Sequence, residues 1–323
     1  MEYKADTVAW RETSYAEVGT AFTAYSCMIL AEMAEEIGEM EDAAYYRELH
    51  GKFAKAWRTN FVKEDGITCK SGGTSDDEGN YTDGEGSQTS YAFGLFFDLY
   101  ETPEKKRAAA EKLSERIAEE GYIQTVGFLG MNIIYPALGS NGQFDTAMRM
   151  MENESYPSLL NMVNNGATTI WETYGGGTMS RNHYVFGAPA RWLYTDILGI
   201  SHQYVSGNEG FKHFELRPHY ASYEDTSVTW AKGSFDSMNG LIESEWKLSA
   251  VRSIFTYNCT VPANTSATLS LPVENENAYI TEGGIDINDV EGIEYIKTED
   301  GRKYYEITSG VYEFVVHNDI DAK

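Results

Sequence analysis

The first 200 residues carry apolar side chains at helical spacing. From about Ser14 to Gly38 they recur every three or four positions, which predicts an amphipathic helix that ends at Gly38. A second helix is predicted from Glu41 to about Phe61, and it forms a helical hairpin with the first. Further helical patterns occupy residues 88–100, 102–120, 131–138, 141–151 and 186–198. These helices are joined by short loops, which predicts a helical toroid or bundle.

The pattern changes near residue 203 to short alternating segments. These segments are rich in β-forming residues and are separated by Gly, Pro, Asn or Asp. They lie at residues 211–217, 227–230, 240–246, 254–261, 266–271, 293–297, 303–307 and 311–316. Such a series predicts an antiparallel β-sandwich. The chain is therefore expected to form two domains, a helical one at 1–202 and a sandwich at 203–323.

An acidic loop is predicted at 66–87. Its carboxylates, Asp76-Asp-Glu78 with Asp83 and Glu85, resemble a calcium loop in composition. The spacing of these residues does not match a helix-loop-helix calcium site, because Tyr81 stands where such a site requires glycine. A solvated loop is the better interpretation.

The composition and charge of the chain argue against some classes of binding partner. The 323 residues carry a formal net charge of −25, which argues against nucleic acid and anionic membranes and favours a neutral ligand. No apolar run approaches the roughly 20 residues of a membrane span. The first residues lack an apolar signal core, so a cytoplasmic location is expected. Cys27, Cys69 and Cys259 have no metal-ligand spacing and are interpreted as free thiols.

The candidate chemistry lies in the stretch Asn165-Gly-Ala-Thr-Thr-Ile-Trp-Glu172 and the residues after it. Glu172 stands between Trp171 and a segment with three successive glycines, 175–177. A single carboxylate beside an indole and a hinge is a candidate for acid–base chemistry in a cleft. The alternative is an ordinary surface carboxylate beside a core tryptophan.

Side chains suited to binding a sugar surround this carboxylate. Trp171 and Tyr174 offer flat apolar rings, and Asn182 and His183 offer hydrogen-bonding groups. We therefore take these four as candidate substrate-binding residues. Elsewhere, Trp57, Trp230 and Trp246 lie in periodic apolar patterns and are predicted to be core anchors.

Several segments together resemble the inverting α-L-rhamnosidases of glycoside hydrolase family 78. They occur in the family's order and span nearly the whole chain. The segments are Ser87-Gln-Thr-Ser-Tyr-Ala92, Gly127-Phe-Leu-Gly130, Tyr156-Pro-Ser158, Asn165-Gly-Ala-Thr-Thr-Ile-Trp-Glu172, Asn182-His-Tyr-Val-Phe-Gly187, Trp192-Leu-Tyr194, Gly210-Phe-Lys212 and Val261-Pro-Ala-Asn-Thr265.

This resemblance implies an (α/α)6 toroid that holds a terminal α-L-rhamnose of a glycoside, followed by a structural β-sandwich. It implies that Glu172 matches the general base and His183 the histidine that contacts the sugar. An inverting glycosidase needs one carboxylate to activate water, which agrees with a role for Glu172. The reaction requires no metal or cofactor.

The sequence departs from the family in its first part. The family's general acid lies in an acidic motif that ends in Gly-Trp, and this sequence contains no Gly-Trp pair. The resemblance places Met1 just after the family's Gly-Asp-Trp segment, so an incomplete toroid is expected. Its first hairpin, with Phe22, Tyr25 and Ile29, would lack packing partners, so self-association is also expected.

Three functions are compatible with these patterns. The first is the base-bearing part of an α-L-rhamnosidase. The second is a sugar-binding or structural remnant that has lost its acid. The third is a different toroidal glycosidase or lyase, which is less suitable because the acidic composition disfavours a uronate substrate and because the segments above match rhamnosidases.

Overall fold

The computed structural model describes residues 13–70, 86–177, 179–202, 208–275 and 277–318. The acidic residues of the predicted loop, from Asp76 to Glu85, lie outside these ranges. The chain divides into two compact units, Met1–Pro189 and Ala190–Lys323. The last helical turn, Leu193–Ile197, groups with the sheets, whereas the sequence pattern changes at residue 202. The reason is local, because Trp246 Nε1 donates to the Ile197 carbonyl oxygen at 2.8 Å within the sheet unit.

The first unit is helical, as predicted. Its helices are α1 (Tyr15–Glu36), α2 (Met40–Phe61), α3 (Gln88–Phe96), α4 (Pro103–Glu119), α5 (Phe128–Met131), α6 (Ile134–Gly139), α7 (Phe144–Met151) and α8 (Leu159–Asn164). The Ser14 hydroxyl caps α1 by accepting the N–H of Glu17 at 2.9 Å. Gly38 follows α1 with φ +83°, a conformation that favours glycine, and it lets the chain turn into α2. The sequence missed α8, which is only six residues long.

The first hairpin packs on the end of α3. Phe22 meets Phe93 at 5.5 Å between ring centroids, and Tyr25 stacks on Phe97 at 4.4 Å. The expectation that the flank with Phe22, Tyr25 and Ile29 lacks partners is therefore wrong, because α3 covers its two aromatic rings. Other apolar side chains of the hairpin and its ends are exposed: Tyr15, Leu30, Met33, Ile37, Met40 and Tyr45.

The predicted helix at 186–198 is three short turns. A 3-10 helix covers Tyr184–Gly187, α9 covers Pro189–Trp192, and a π-helix covers Leu193–Ile197. No helix among the described residues has both the length and the apolar composition that a membrane span requires. The three cysteines are free and buried, which confirms their interpretation as thiols.

The second unit consists of two sheets. Its strands are β1 (Ile200–Ser201), β2 (His213–Leu216), β3 (Trp230–Ser237), β4 (Gly240–Leu248), β5 (Ile254–Val261), β6 (Ser266–Pro272), β7 (Tyr279–Glu282), β8 (Ile285–Asp286), β9 (Ile293–Glu299), β10 (Arg302–Ile307) and β11 (Gly310–His317). One sheet has the order β1-β2-β6-β10-β9, and the other has the order β3-β4-β5-β11-β7-β8. Inward-facing side chains alternate with outward-facing ones along most strands, as the predicted sandwich requires.

One strand pair departs from the antiparallel prediction. β2 and β6 run parallel, with His213 opposite Ser266 and Leu216 opposite Leu269. Between them the chain forms β3, β4 and β5 in the other sheet and then returns in the same direction. The sequence also missed β1, β7 and β8, which have two to four residues each.

The three tryptophans that were predicted to be core anchors differ in their exposure to solvent. Trp57 and Trp246 are buried, which confirms them as core anchors. Trp230 is 61% exposed, so its prediction as a core residue is wrong. Trp230 begins β3 and pairs with Lys247 of β4, and both side chains are on the outer face of the sheet.

Candidate active site

Two short segments of the helical unit pair with each other around Glu172. The Glu172 N–H donates to the Ser180 carbonyl oxygen at 2.9 Å, and the His183 N–H donates to the Ile170 carbonyl oxygen at 2.8 Å. The Thr169 hydroxyl adds a bond to the Arg181 carbonyl oxygen. We call these segments, 169–172 and 180–183, the site hairpin. It fixes Glu172 and His183 on its two arms.

The Glu172 carboxylate is half-buried and held at one end. Its Oε2 accepts the N–H of Ser180 at 3.0 Å. Its other oxygen, Oε1, has no hydrogen bond from the described residues. The carboxylate is thus oriented by the backbone of the opposite arm and keeps one oxygen free to accept a proton from a bound molecule.

The imidazole of His183 is nearly parallel to two other aromatic rings. Phe128 stacks on it with centroids 4.7 Å apart and an interplanar angle of 15°. Tyr184 is nearly parallel to it, at 5.8 Å and 10°. His183 Nδ1 is buried and has no hydrogen-bond partner among the described residues. A buried polar atom without a partner requires an explanation, and a ligand hydroxyl supplies one.

Phe128 is a site residue that the sequence analysis missed. It belongs to Gly127-Phe-Leu-Gly130, which the sequence analysis names only as part of the family resemblance, and it begins α5. Its ring is also part of the wall of a largely apolar cavity of about 310 Å³. The other residues around this cavity are Thr13, Tyr15, Val18, Thr89, Phe93, Gly127, Leu129 and Gly130. The family resemblance of this segment was the available signal, but it gave no reason to single out the ring.

Trp171 and Tyr174 are packed inside the protein, each only 7% exposed. The Arg181 guanidinium lies 5.2 Å from the Trp171 ring centroid, which places a cation over the indole face. Tyr174 meets Phe186 edge to face at 5.1 Å. Burial, with smaller contributions from Tyr135 and Tyr156, raises the pKa of the Tyr174 hydroxyl well above its ordinary value. Neither ring presents an open face to a ligand in this conformation.

Asn182 is exposed beside His183 on the site hairpin. Its N–H donates to the Ser180 hydroxyl at 3.3 Å, and its side-chain amide has no partner among the described residues. The hairpin thus brings together Glu172, Asn182 and His183. Within the described ranges, no group of three or more His, Cys, Asp and Glu side chains is placed to hold a metal ion.

Two protein-family models match the chain. The bacterial alpha-L-rhamnosidase six-hairpin glycosidase domain matches residues 3–197, and the bacterial alpha-L-rhamnosidase C-terminal domain matches residues 199–286. Together they cover the helical segment with the site hairpin and much of the sheet region.

Curated relatives of this chain are named alpha-L-rhamnosidase, as the two family models are. The chain is 29% identical over 313 residues to an alpha-L-rhamnosidase of Formosa agariphila and 29% identical over 315 residues to one of Streptomyces avermitilis. Each alignment covers 94% of this chain but only 31% and 27% of the relative. The chain thus spans less than a third of the length of these relatives.

Solved structures agree in fold. The alpha-L-rhamnosidase of Streptomyces avermitilis complexed with L-rhamnose superposes with a TM-score of 0.76 at 27% identity, over 95% of this chain and 28% of that one. An alpha-L-rhamnosidase from Dictyoglumus thermophilum superposes with a TM-score of 0.74 at 25% identity, over 91% of this chain and 31% of that one. The predicted fold class, a helical-hairpin domain followed by a β-sandwich, is confirmed by these likenesses.

Proposed function

Because this chain belongs to the bacterial alpha-L-rhamnosidase six-hairpin glycosidase family, we propose that it hydrolyses terminal α-L-rhamnosides with Glu172 as the general base. The observation that carries the proposal is the site hairpin. It holds a carboxylate with one free oxygen and a histidine with a buried, unpartnered nitrogen on its two arms. The rhamnose complex of the Streptomyces relative supports the choice of sugar for this chain.

The reaction assigned to Glu172 is proton removal from water. Oε1 takes a proton from a water molecule as the water oxygen attacks the anomeric carbon. The bond from that carbon to the leaving oxygen breaks, and the configuration inverts because attack comes from the opposite side. In the family that the sequence resembles, a second carboxyl group protonates the leaving oxygen. The matching Gly-Trp motif is missing from this sequence, so only the base is assigned here.

Sugar binding is assigned to the neighbours of Glu172. His183 Nδ1 is placed to exchange a hydrogen bond with a sugar hydroxyl, and its ring is held by Phe128. The free amide of Asn182 offers a second polar contact. Trp171 and Tyr174 act indirectly in this proposal, because their buried rings support the site hairpin.

The test uses a substrate that needs no acid. In 2,4-dinitrophenyl α-L-rhamnoside the leaving phenolate departs without protonation, so a base alone supports turnover. Glu172→Gln keeps the size of the side chain and removes the base, so turnover by the chain should fall about 10²–10⁴-fold. Glu154→Gln is the control, since Glu154 is an exposed carboxylate that does not belong to either hairpin arm.

Proton NMR of the first-formed sugar tests the stereochemistry. Inversion requires β-L-rhamnose before mutarotation, whereas retention gives the α-anomer. Near-normal turnover by Glu172→Gln, or a first product with the α configuration, would contradict the proposal. So would binding of L-rhamnose without any turnover of the activated substrate.

A further inference from the structure

The strand β3 lies at one end of the six-stranded sheet and has an open side. It pairs with β4 alone in the strand order β3-β4-β5-β11-β7-β8. Among the described residues, no backbone hydrogen bond joins β3 to any element other than β4. A strand of eight residues in this position presents a row of N–H and C=O groups with which another strand can pair.

The hydrogen bonds to β4 identify the backbone groups on the open side. The Leu248 N–H donates to the Thr229 carbonyl oxygen at 2.9 Å, so position 229 forms a hydrogen-bonded pair with β4. In an antiparallel ladder such pairs recur at every second residue, and the residues between them direct their backbone groups the other way. Four residues of β3 therefore present free N–H and C=O groups, and we call them the β3 edge. They are Trp230, Lys232, Ser234 and Asp236.

The other sheet edges that the described strands form are less suited to pairing. β1 and β8 have two residues each. β9 has seven residues, but its register with β10 shifts between Tyr304 and Tyr305, as it does at a β-bulge. Short strands and bulges both protect an edge from pairing with another chain. β3 has neither protection, because its register with β4 is continuous from Trp230 to Ser237.

The side chains of the β3 edge lie in solvent together with an apolar neighbour. Trp230 is 61% exposed, and Met238, directly after the strand, is 93% exposed. Two large apolar side chains at the ends of one strand thus remain without the stabilisation that burial provides. Between them lie two opposite charges. Lys232 contacts Glu245 at 2.7 Å, and Asp236 has no partner among the described residues.

One antiparallel register with a second copy of the chain matches all of these side chains. Ser234 lies opposite Ser234 of the second copy, on a twofold axis. Lys232 then lies opposite Asp236 of the second copy, and Trp230 lies opposite its Met238. Each of these two contacts occurs twice, because a twofold interface is self-complementary. The register also pairs the free backbone groups with each other, which gives about six hydrogen bonds between the two strands.

We propose that the β3 edge pairs with the β3 edge of a second copy in this register. A lysine on an edge ordinarily discourages pairing, whereas here Lys232 meets a carboxylate on each side. The net charge of −25 on each chain opposes association. At physiological ionic strength, charges more than about 8 Å apart are largely screened, so this repulsion weakens more than the attraction between Lys232 and Asp236 in contact. The contact is small, so a dissociation constant of roughly 0.1–1 mM is expected.

Charge reversal on the two sides of the interface tests the register. Every protein in this experiment carries Met33→Glu with Ile37→Lys, so that association through the first hairpin does not contribute. Sedimentation equilibrium at about 0.15 M salt measures dimerisation. Lys232→Glu alone and Asp236→Lys alone should each weaken the dimer at least about tenfold, because both cross-strand pairs then join like charges. An equimolar mixture of the two variants should recover the parent affinity within about threefold, because positions 232 and 236 again carry opposite charges across the interface.

The other long edge strand provides a matched control. Lys297 on β9 is also exposed and also forms an ion pair, with Glu299 at 2.6 Å. Lys297→Glu makes the same change in net charge as Lys232→Glu and breaks a comparable pair. It should leave the dimer affinity within about twofold of the parent. Trp230→Ala should weaken the dimer about fivefold or more, because the indole loses its contact with Met238 of the second copy.

Crosslinking locates the twofold axis. The three native cysteines are buried, so a bismaleimide reagent should join only introduced thiols. Ser234→Cys places two thiols opposite each other in the proposed dimer, and it should give a covalent dimer in high yield. Thr298→Cys is the control, since Thr298 is an exposed residue of β9 in the other sheet.

Three results would overturn the proposal. The first is a parent protein that stays monomeric up to about 1 mM. The second is a mixture of Lys232→Glu and Asp236→Lys that dimerises as weakly as each variant alone. The third is a yield of covalent dimer from Thr298→Cys equal to that from Ser234→Cys, which would assign the crosslink to random collisions.

Discussion

The ring of Phe128 lies nearly parallel to the imidazole of His183, at 4.7 Å and 15°. The two residues come from different parts of the helical unit, since Phe128 begins α5 and His183 ends the second arm of the site hairpin. The stack fixes the plane of the imidazole and therefore the direction in which Nδ1 points. Phe128 is thus a positioning residue for His183.

Replacing Phe128 by Ala should weaken sugar binding by about two- to tenfold, because an aromatic pair contributes about 0.5–1.5 kcal/mol. The measurement is the dissociation constant of L-rhamnose, with D-glucose as the comparison sugar. Phe128→Tyr keeps a ring in place and should restore most of the affinity. Tyr45→Ala, an exposed aromatic position on α2, should have no effect. Equal affinity of wild type and Phe128→Ala would show that the stack does not position His183.

Gly176 supports the site hairpin through its contact with Trp171. Its φ is +78°, and a Cβ at this position would lie 2.6 Å from Cζ3 of the indole. Gly176→Ala should therefore displace Trp171, destabilise the helical unit by about 1–3 kcal/mol and lower kcat/KM. Thermal unfolding, followed by tryptophan fluorescence, measures the loss of stability.

The adjacent Gly175 provides a matched control. A Cβ there would lie 3.7 Å from Cε2 of Tyr156, which is ordinary van der Waals contact. Gly175→Ala should change stability by less than about 1 kcal/mol. Equal destabilisation by the two substitutions would assign the effect to the loss of backbone freedom instead of the indole contact.

Sequence patterns predicted local structure better than tertiary contacts. Ser14 and Gly38 mark the ends of α1 because capping and a left-handed backbone are local requirements. The Phe128–His183 stack joins residues far apart in the chain, and neither residue carries a local sign of the other. The parallel pairing of β2 with β6 likewise depends on a path through the second sheet.

Sequence context predicted the burial of Trp57 and Trp246 but not the exposure of every tryptophan. Trp171 and Trp230 were both judged from their neighbours in the sequence, and the two outcomes differ. Trp171 is covered by Arg181 and Gly176, whereas Trp230 lies on the outer face of an edge strand. Glu172 and His183 were identified from the residue types around them, and the family resemblance supplied their expected roles. Their roles in catalysis and binding stay predictions.

The sheet unit should lose stability in acid through His219. Burial, and then the positive charges of Arg302 and Arg217, lower the pKa of His219 from 6.5 to about 3 in the folded state. Below pH 6.5 the unfolded chain gains a proton that the folded chain does not bind. The free energy of unfolding therefore falls as the pH decreases from 6.5 toward 3, by at most about 1.4 kcal/mol per pH unit from this group.

His219→Gln should reduce this dependence on pH, because glutamine does not titrate. Hydrogen exchange of β2 and β6 peptides between pH 7 and pH 4 measures how the stability of the sheet unit depends on pH. The rates are corrected for intrinsic exchange. Peptides from α1 and α2 are the internal control and should respond to pH in the same way in both proteins. An unchanged slope in the sheet peptides of His219→Gln would mean that other groups cause the acid sensitivity.

Self-association should involve the exposed end of the first hairpin. Met33 and Ile37 lie one turn apart near the end of α1, and both are exposed. The net charge of −25 opposes association, so sedimentation should detect more dimer in high salt than in low salt. The double substitution Met33→Glu with Ile37→Lys should abolish the dimer that this hairpin forms. A monomer at both salt concentrations would contradict this prediction.

Azide provides a separate test of Glu172. Glu172→Ala removes the base and leaves space beside the Ser180 N–H that Oε2 occupied. Azide is a nucleophile that needs no deprotonation, so it should attack the anomeric carbon directly as the dinitrophenolate leaves. Inversion then gives β-L-rhamnosyl azide, with no proton to transfer.

We expect millimolar azide to restore turnover of the activated substrate by about ten- to a hundredfold, a fraction of the 10²–10⁴-fold loss expected for the base. Wild type should show no acceleration, since its carboxylate repels the anion. Glu154→Ala should behave as wild type does. Acceleration of all three proteins, or an α-configured azide, would mean that the lost step in Glu172→Ala is not deprotonation of water.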